Sequence, residues 1–112
     1  MRFFRQGDEV VSVYRAGEHL CGAPGIVHGG IIATLVDEVS CAVAVFVRGL
    51  RVVTGELTVR YVKPCPVERD IEIRARIVEE RPRYLIVECV VSLDGVEHAR
   101  SNGRFFPISG AD

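Results

Sequence analysis

The chain has 112 residues, which fits a single domain spanning 1–112 and excludes a second one. Apolar residues make up 48% and charged residues 26%, an ordinary globular composition. A formal net charge of -1 excludes polyanion binding by bulk charge. Arg48, Arg51, Arg60, Arg74, Arg76, Arg81, Arg83 and Arg100 are dispersed among acids, and neither a basic arm nor a helix-turn-helix or zinc-finger pattern is present. No nucleic-acid partner is therefore expected.

The start, Met1-Arg2-Phe3-Phe4-Arg5-Gln6, is charged at once and lacks the apolar run of a signal peptide, so the expected location is the cytoplasm. Glu9 to Tyr14 reads as a short strand. A break at Gly17 precedes a second extended piece, His19-Leu20-Cys21, and Gly22-Ala23-Pro24-Gly25 reads as a turn.

From His28 to about Val47 small and apolar residues cover every side of a helical wheel, which predicts a buried helix. Strand is the competing reading for Val43 to Val47, because β-branched residues favour it. The run is too long for one strand, however, and Gly49 supplies a stop. Asp37 and Glu38 near its middle and Arg48 at its end argue against membrane insertion.

Beyond Arg51 the period becomes two. In the first strand, Gly55 to Val62, Glu56, Thr58 and Arg60 alternate with Leu57 and Val59, and Lys63-Pro64-Cys65-Pro66 ends it. Ile71, Ile73, Ala75 and Ile77 mark the next strand, and Tyr84 to Leu93 the one after the Arg81-Pro82-Arg83 turn. Asp94-Gly95 is a tight hairpin signal leading into Val96 to Phe106. The resulting order is a short strand, one buried helix, then four long antiparallel strands. This α+β pattern predicts a sheet curled around the helix, with the remaining helix face closed by a second subunit.

Cys21, Cys41, Cys65 and Cys89 are scattered without a CxxC pair. They are expected to be reduced, with Cys41 and Cys89 as small buried side chains. No His lies at metal-ligand spacing from them; His19 and His98 read as strand residues, and no metal is expected.

The chemistry concentrates in Pro24-Gly25-Ile26-Val27-His28-Gly29-Gly30 and the helix behind it. Two glycines at a helix start leave backbone N–H groups bare, and a helix N-terminus carries partial positive charge. Such a site suits a carbonyl oxygen that becomes negative. Asp37 lies nine residues after His28, about two and a half turns, so the two point to roughly opposite faces. Within one chain they are poorly placed to cooperate; across a two-fold axis one subunit's Asp37 could face the other's helix start. A carboxylate in an apolar helix is costly, which favours a functional role. Either feature alone is equally well read as a plain turn or as a carboxylate paired with a backbone donor.

The stretch PGIVHGGIIATLVDE resembles the signature of hotdog-fold thioesterases related to the phenylacetate-pathway (PaaI-like) enzyme and to the mammalian thioesterase superfamily members. The likeness continues through Val53-Thr54-Gly55-Glu56-Leu57-Thr58-Val59-Arg60-Tyr61-Val62-Lys63-Pro64 to the final strand, covering about residues 18–108. It implies a hotdog fold: a long central helix wrapped by a curved antiparallel sheet of five or six strands. It also implies acyl-CoA hydrolysis to a carboxylate and free CoA, with water as cosubstrate and no cofactor. Sites would lie at the interface of a homodimer or a dimer of dimers.

By the same resemblance, the N–H of Gly30 or of Gly29 would polarise the thioester carbonyl, and His28 would hold the loop or contact the thioester. The partner's Asp37 would act as general base or nucleophile, and Thr54 would orient the water. One departure stands out. Many relatives carry an Asn or Gln just before the loop, where this chain has Cys21 and Gly22; a thiol is a weak donor. That favours, as alternatives, a non-catalytic acyl-CoA binder on the same fold, with a hydratase or dehydratase as a further class. Cys21 has no evident basic partner to make it a nucleophile. Glu38 points about 100° from Asp37 around the helix; it is a substrate-binding candidate, though a carboxylate meeting an Arg or the partner subunit is the better reading. Arg48, Arg51 and Arg60 are candidates for meeting CoA phosphates.

Overall fold

A computed structural model of the chain describes residues 1–108. Among them the elements run β1 Phe4–Gln6, β2 Glu9–Arg15, β3 Cys21–Ala23, β4 Ile26–Val27, α1 Gly29–Arg48, β5 Val52–Tyr61, β6 Asp70–Glu80, β7 Leu85–Leu93 and β8 Val96–Pro107. A 3-10 turn, Glu18–Leu20, precedes β3. One antiparallel sheet has the order β1-β2-β6-β7-β8-β5, and β3 pairs with β4 in a separate ribbon. Helix α1 packs across β2, β5, β6 and β7. This is the hotdog arrangement, with six strands in the main sheet.

The alternation read from the sequence sorts the two faces of that sheet. Val10, Ile71, Ile73, Ala75, Val87, Cys89, Val91, Ala99 and Phe105 turn inward and are buried against Ile32, Leu35, Val36, Val39 and Val43 of the helix. The outer face carries ion pairs, two across strands and one within β8. Arg74 reaches Glu9 at 2.8 Å, and Arg100 reaches Glu88 at 2.9 Å and Glu97 at 2.7 Å. Each such exposed pair contributes little, but together they keep this face in water.

The helix starts one residue later than expected and ends in a left-handed cap. Gly49 has φ 66°, and the N–H of Leu50 reaches back to the Ala44 carbonyl at 3.1 Å. Only glycine takes that conformation freely, so Gly49 stops the helix as expected. Val43 to Val47 are helical, since packing overrides the weak strand preference of valine.

Two readings need correction, and one face of the helix stays open as expected. His19-Leu20 is not extended: with Leu20 N–H bonded to the Gly17 carbonyl at 3.0 Å it makes a 3-10 turn, and the strand begins only at Cys21. Strand β1, too short to show a period, was not expected; a turn at Gly7 folds it back on β2. The helix is not buried on every side within one chain. Its buried stripe runs through Ile32, Leu35, Val36, Val39 and Val43, while Val45 and Phe46 stay 43% and 41% exposed.

A bulge in β5 has a functional consequence. Thr54 pairs with Phe105 and Glu56 with Arg104, so Gly55 is the extra residue. By strict alternation Thr54 would share the outward face of Glu56 and Thr58. The bulge reverses it, turning Thr54 inward toward α1.

Candidate active site

The His28-Gly29-Gly30 turn is held from three sides. His28 N–H donates to the Leu20 carbonyl at 2.8 Å, and Val27 N–H donates to the Cys65 carbonyl at 2.8 Å. His28 is the N-cap of α1, and its Nδ1 accepts from Gly30 N–H at 2.9 Å. A Cβ on Gly30 would sit 3.1 Å from that imidazole, so glycine lets the ring close over the helix end. Tyr61 Oη donates to the Gly29 carbonyl at 2.6 Å. Burial, with Cys65 nearby, pushes the Tyr61 phenol up.

Gly29 C=O and Gly30 N–H belong to one peptide group, so Tyr61 and His28 pin both of its ends. Among the described residues, Gly29 N–H has no acceptor and is the open donor of the turn. It borders a cavity of about 330 Å³ lined by Ile26, Ile32, Tyr61, Lys63 and Cys65. Gly22 lies against the same turn. A Cβ there would stand 3.1 Å from His28 Cα, a tight approach to the backbone of the turn.

Asp37 is half-buried on the other side of α1. Its Oδ1 accepts a 2.5 Å hydrogen bond from Thr54 Oγ1, the hydroxyl turned inward by the Gly55 bulge. Cys41, one turn further along the helix, brings its Sγ to 4.0 Å from Thr54 Oγ1. Its thiol is pushed up, first by burial and then by Asp37. Cys41 is thus half-buried at the site, not a core residue as expected. Cys89 does lie in the core, and burial pushes its thiol up to about 12. From Asp37 and Glu38 an apolar groove of about 370 Å³ runs past Cys41, Ala42, Val45 and Phe46 to Phe3.

Within one chain the fold does not bring the expected site residues together. Gly29 borders one cavity; Asp37 and Glu38 border another. Asp37 and Thr54 do meet, as do His28 and Gly30. Glu38 is exposed at the groove rim, and Cys21 places its Sγ 3.8 Å from Glu18 Oε2. Arg48 is engaged by Glu80 at 2.6 Å, while Arg51 and Arg60 are exposed. Tyr61 and Phe3 were not singled out from sequence. Tyr61 sits next to the Val62-Lys63-Pro64 strand end, but nothing local announces its bond to Gly29. No three His, Cys, Asp or Glu among the described residues cluster as a metal site.

The thioesterase superfamily profile matches residues 24–98, a span from the turn before His28 to the start of β8. The chain belongs to the thioesterase superfamily. Rat acyl-coenzyme A thioesterase THEM4 is 32% identical over 90 residues, covering 80% of this chain and 38% of that protein. The mouse protein of the same name is 35% identical over 83 residues, covering 72% and 34%. This superfamily member therefore spans well under half the length of these curated relatives. A thioesterase superfamily protein from Shewanella loihica PV-4 superposes with TM-score 0.85 at 25% identity, covering 96% of this chain and 90% of that one. A Streptococcus mutans UA159 protein solved with acetyl CoA superposes with TM-score 0.88 at 22% identity, covering 100% and 93%, and supports the fold.

Proposed function

We propose that the protein hydrolyses an acyl-CoA thioester to a carboxylate and free CoA. The observation that carries this reading is the Asp37 carboxylate, held by the Thr54 hydroxyl at 2.5 Å at the head of an apolar groove. Asp37 takes a proton from water as that water attacks the thioester carbonyl. The oxygen that becomes negative is met by Gly29 N–H, with the helix N-terminus behind it. Collapse of the tetrahedral intermediate breaks the C–S bond, and the proton held by Asp37 returns to the departing thiolate. The alternative, Asp37 as nucleophile, passes through an acyl-enzyme anhydride that water then opens.

Asp37 and Gly29 face different cavities in one chain, so the reading requires two. A homodimer, alone or paired into a tetramer, would set one subunit's Asp37 and Thr54 against the partner's helix start. Strand β5 supports this. It is one of the two edge strands of the sheet, bonded among the described residues only to β8, and its Val53 is 52% exposed. Such an unpaired edge is a natural seat for a second copy.

The test is free-thiol release from aromatic and short- to long-chain acyl-CoAs, with Asp37→Ala as control. Turnover that disappears in the variant, with an unchanged circular dichroism spectrum, supports the assignment. Full activity in Asp37→Ala overturns the role of Asp37. The absence of an amide side chain at Cys21 and Gly22 favours a second reading, a non-catalytic acyl-CoA binder. Binding of a non-hydrolysable acyl-CoA analogue without any turnover would select it.

A further inference from the structure

The groove that begins at Asp37 has a polar head and an apolar body. Asp37 and Glu38 stand at one end; Cys41, Ala42, Val45, Phe46 and Phe3 form the rest. Asp37, Cys41 and Val45 follow at four-residue spacing, so they line one helix face. The far end is built, not open. The Phe3 ring meets the Phe46 ring edge-on, centroids 6.1 Å apart at 77°. Phe3 is held there by its neighbours: Arg5 Nη1 donates to the Phe46 carbonyl at 3.0 Å, and Ser12 Oγ donates to the Arg2 carbonyl at 2.6 Å. Strand β1 and its flanking residues thus brace a wall across the helix's last turn.

We propose that the acyl chain of the thioester lies in this groove with its carbonyl at Asp37, and that Phe3 and Phe46 close the far end. Asp37 to Phe46 is nine residues, about 13 Å along a helix axis. An extended alkyl chain with ~1.5 Å bonds advances about 1.3 Å per carbon. The wall therefore admits about eight to ten carbons, a medium-chain acyl group. The occupant is an acyl chain because this strip of apolar residues leads directly to the Asp37 carboxylate.

This inference deepens the hydrolase reading and is tested separately from it. With saturated acyl-CoAs, kcat/KM should rise about threefold to fourfold per added methylene up to about ten carbons, then stop rising. Phe46→Ala should lower the decanoyl-to-palmitoyl preference at least tenfold, and Phe3→Ala should move it the same way. Thermal melts establish that each variant folds, and Phe3→Ala carries the test if Phe46→Ala does not. An unchanged chain-length profile in both folded variants overturns the proposal.

A second readout needs no turnover. The half-buried Cys41 lines the groove, so S-decyl-CoA, a thioether, should slow its alkylation by iodoacetamide at mildly alkaline pH severalfold while Cys21 reacts as before. Protection without thiol release from any acyl-CoA would keep the groove assignment and sink the hydrolase reading. Absence of protection by S-decyl-CoA overturns the groove assignment.

Discussion

Thr54→Val is the most searching single test of the carboxylate site, because valine keeps the shape and removes only the hydroxyl. The bond lost is a hydroxyl donating to the Asp37 carboxylate at 2.5 Å. Hydrogen bonds to charged groups contribute about 1.5–3 kcal/mol net, and partial exposure of both residues moves this one toward the low end. A loss of about 1–2 kcal/mol of transition-state stabilisation lowers kcat about 5- to 30-fold. KM should hold, since the hydroxyl faces Asp37 and not the apolar body of the groove. Thr54→Ser keeps the donor and should restore most of the rate. Thiol release under saturating substrate gives kcat directly. Wild-type kcat in Thr54→Val would refute the coupling.

Two further outcomes follow from the close contacts. Tyr61→Phe frees the Gly29 carbonyl from a neutral hydrogen bond contributing about 0.5–1.5 kcal/mol, so kcat/KM should fall about three- to tenfold. Its melting temperature should stay near wild type; a large drop there would make Tyr61 a stability residue instead. Gly103→Ala places a Cβ 2.8 Å from the Glu56 carbonyl oxygen and 2.6 Å from the ring of Phe105, which is fully buried. Overpacking of this kind costs about 1–3 kcal/mol. At roughly 4–8 °C per kcal/mol for a domain of about this size, the melting temperature should fall by about 5–20 °C. An unchanged melting curve would mean that the β5–β8 contact gives way freely.

The long elements were legible because each carries many repeats of its own period. Ile71, Ile73 and Ala75 alternate through β6, and the helix has twenty residues and a Gly49 stop. What local pattern misses is short or non-local. Strand β1 has three residues, fewer than two periods of any kind. The open face of α1 mixes Asp37 and Glu38 with Val45 and Phe46, so its apolar residues masked which side meets the sheet. Thr54 is the instructive case. Resemblance singled it out, yet plain alternation points it to solvent, and only the bulge at Gly55 turns it to Asp37. A glycine inside a strand pattern is a recognised bulge signal, so this feature was present in the sequence but ambiguous. The bond from Tyr61 to Gly29 spans 32 positions and had no local trace.

The separation of the two half-sites follows from helix geometry and ties the proposed chemistry to association. Nine residues from His28 to Asp37 turn the helix by about 900°, which leaves the two on opposite sides whatever the side-chain rotamers. Neither a loop movement nor a rotamer change brings Asp37 to the donor at Gly29 while α1 stays helical. Straightening the helix is not an option, because Ile32, Leu35 and Val36 between the two half-sites are core residues. The residue that fixes the fold and the residue that does the chemistry thus alternate along one helix. On the proposed reading a folded single chain binds an acyl chain with its own Asp37 groove but cannot stabilise the oxyanion. Pairing of subunits then sets kcat, while the groove wall at Phe3 and Phe46, built within one chain, sets which acyl chains are accepted.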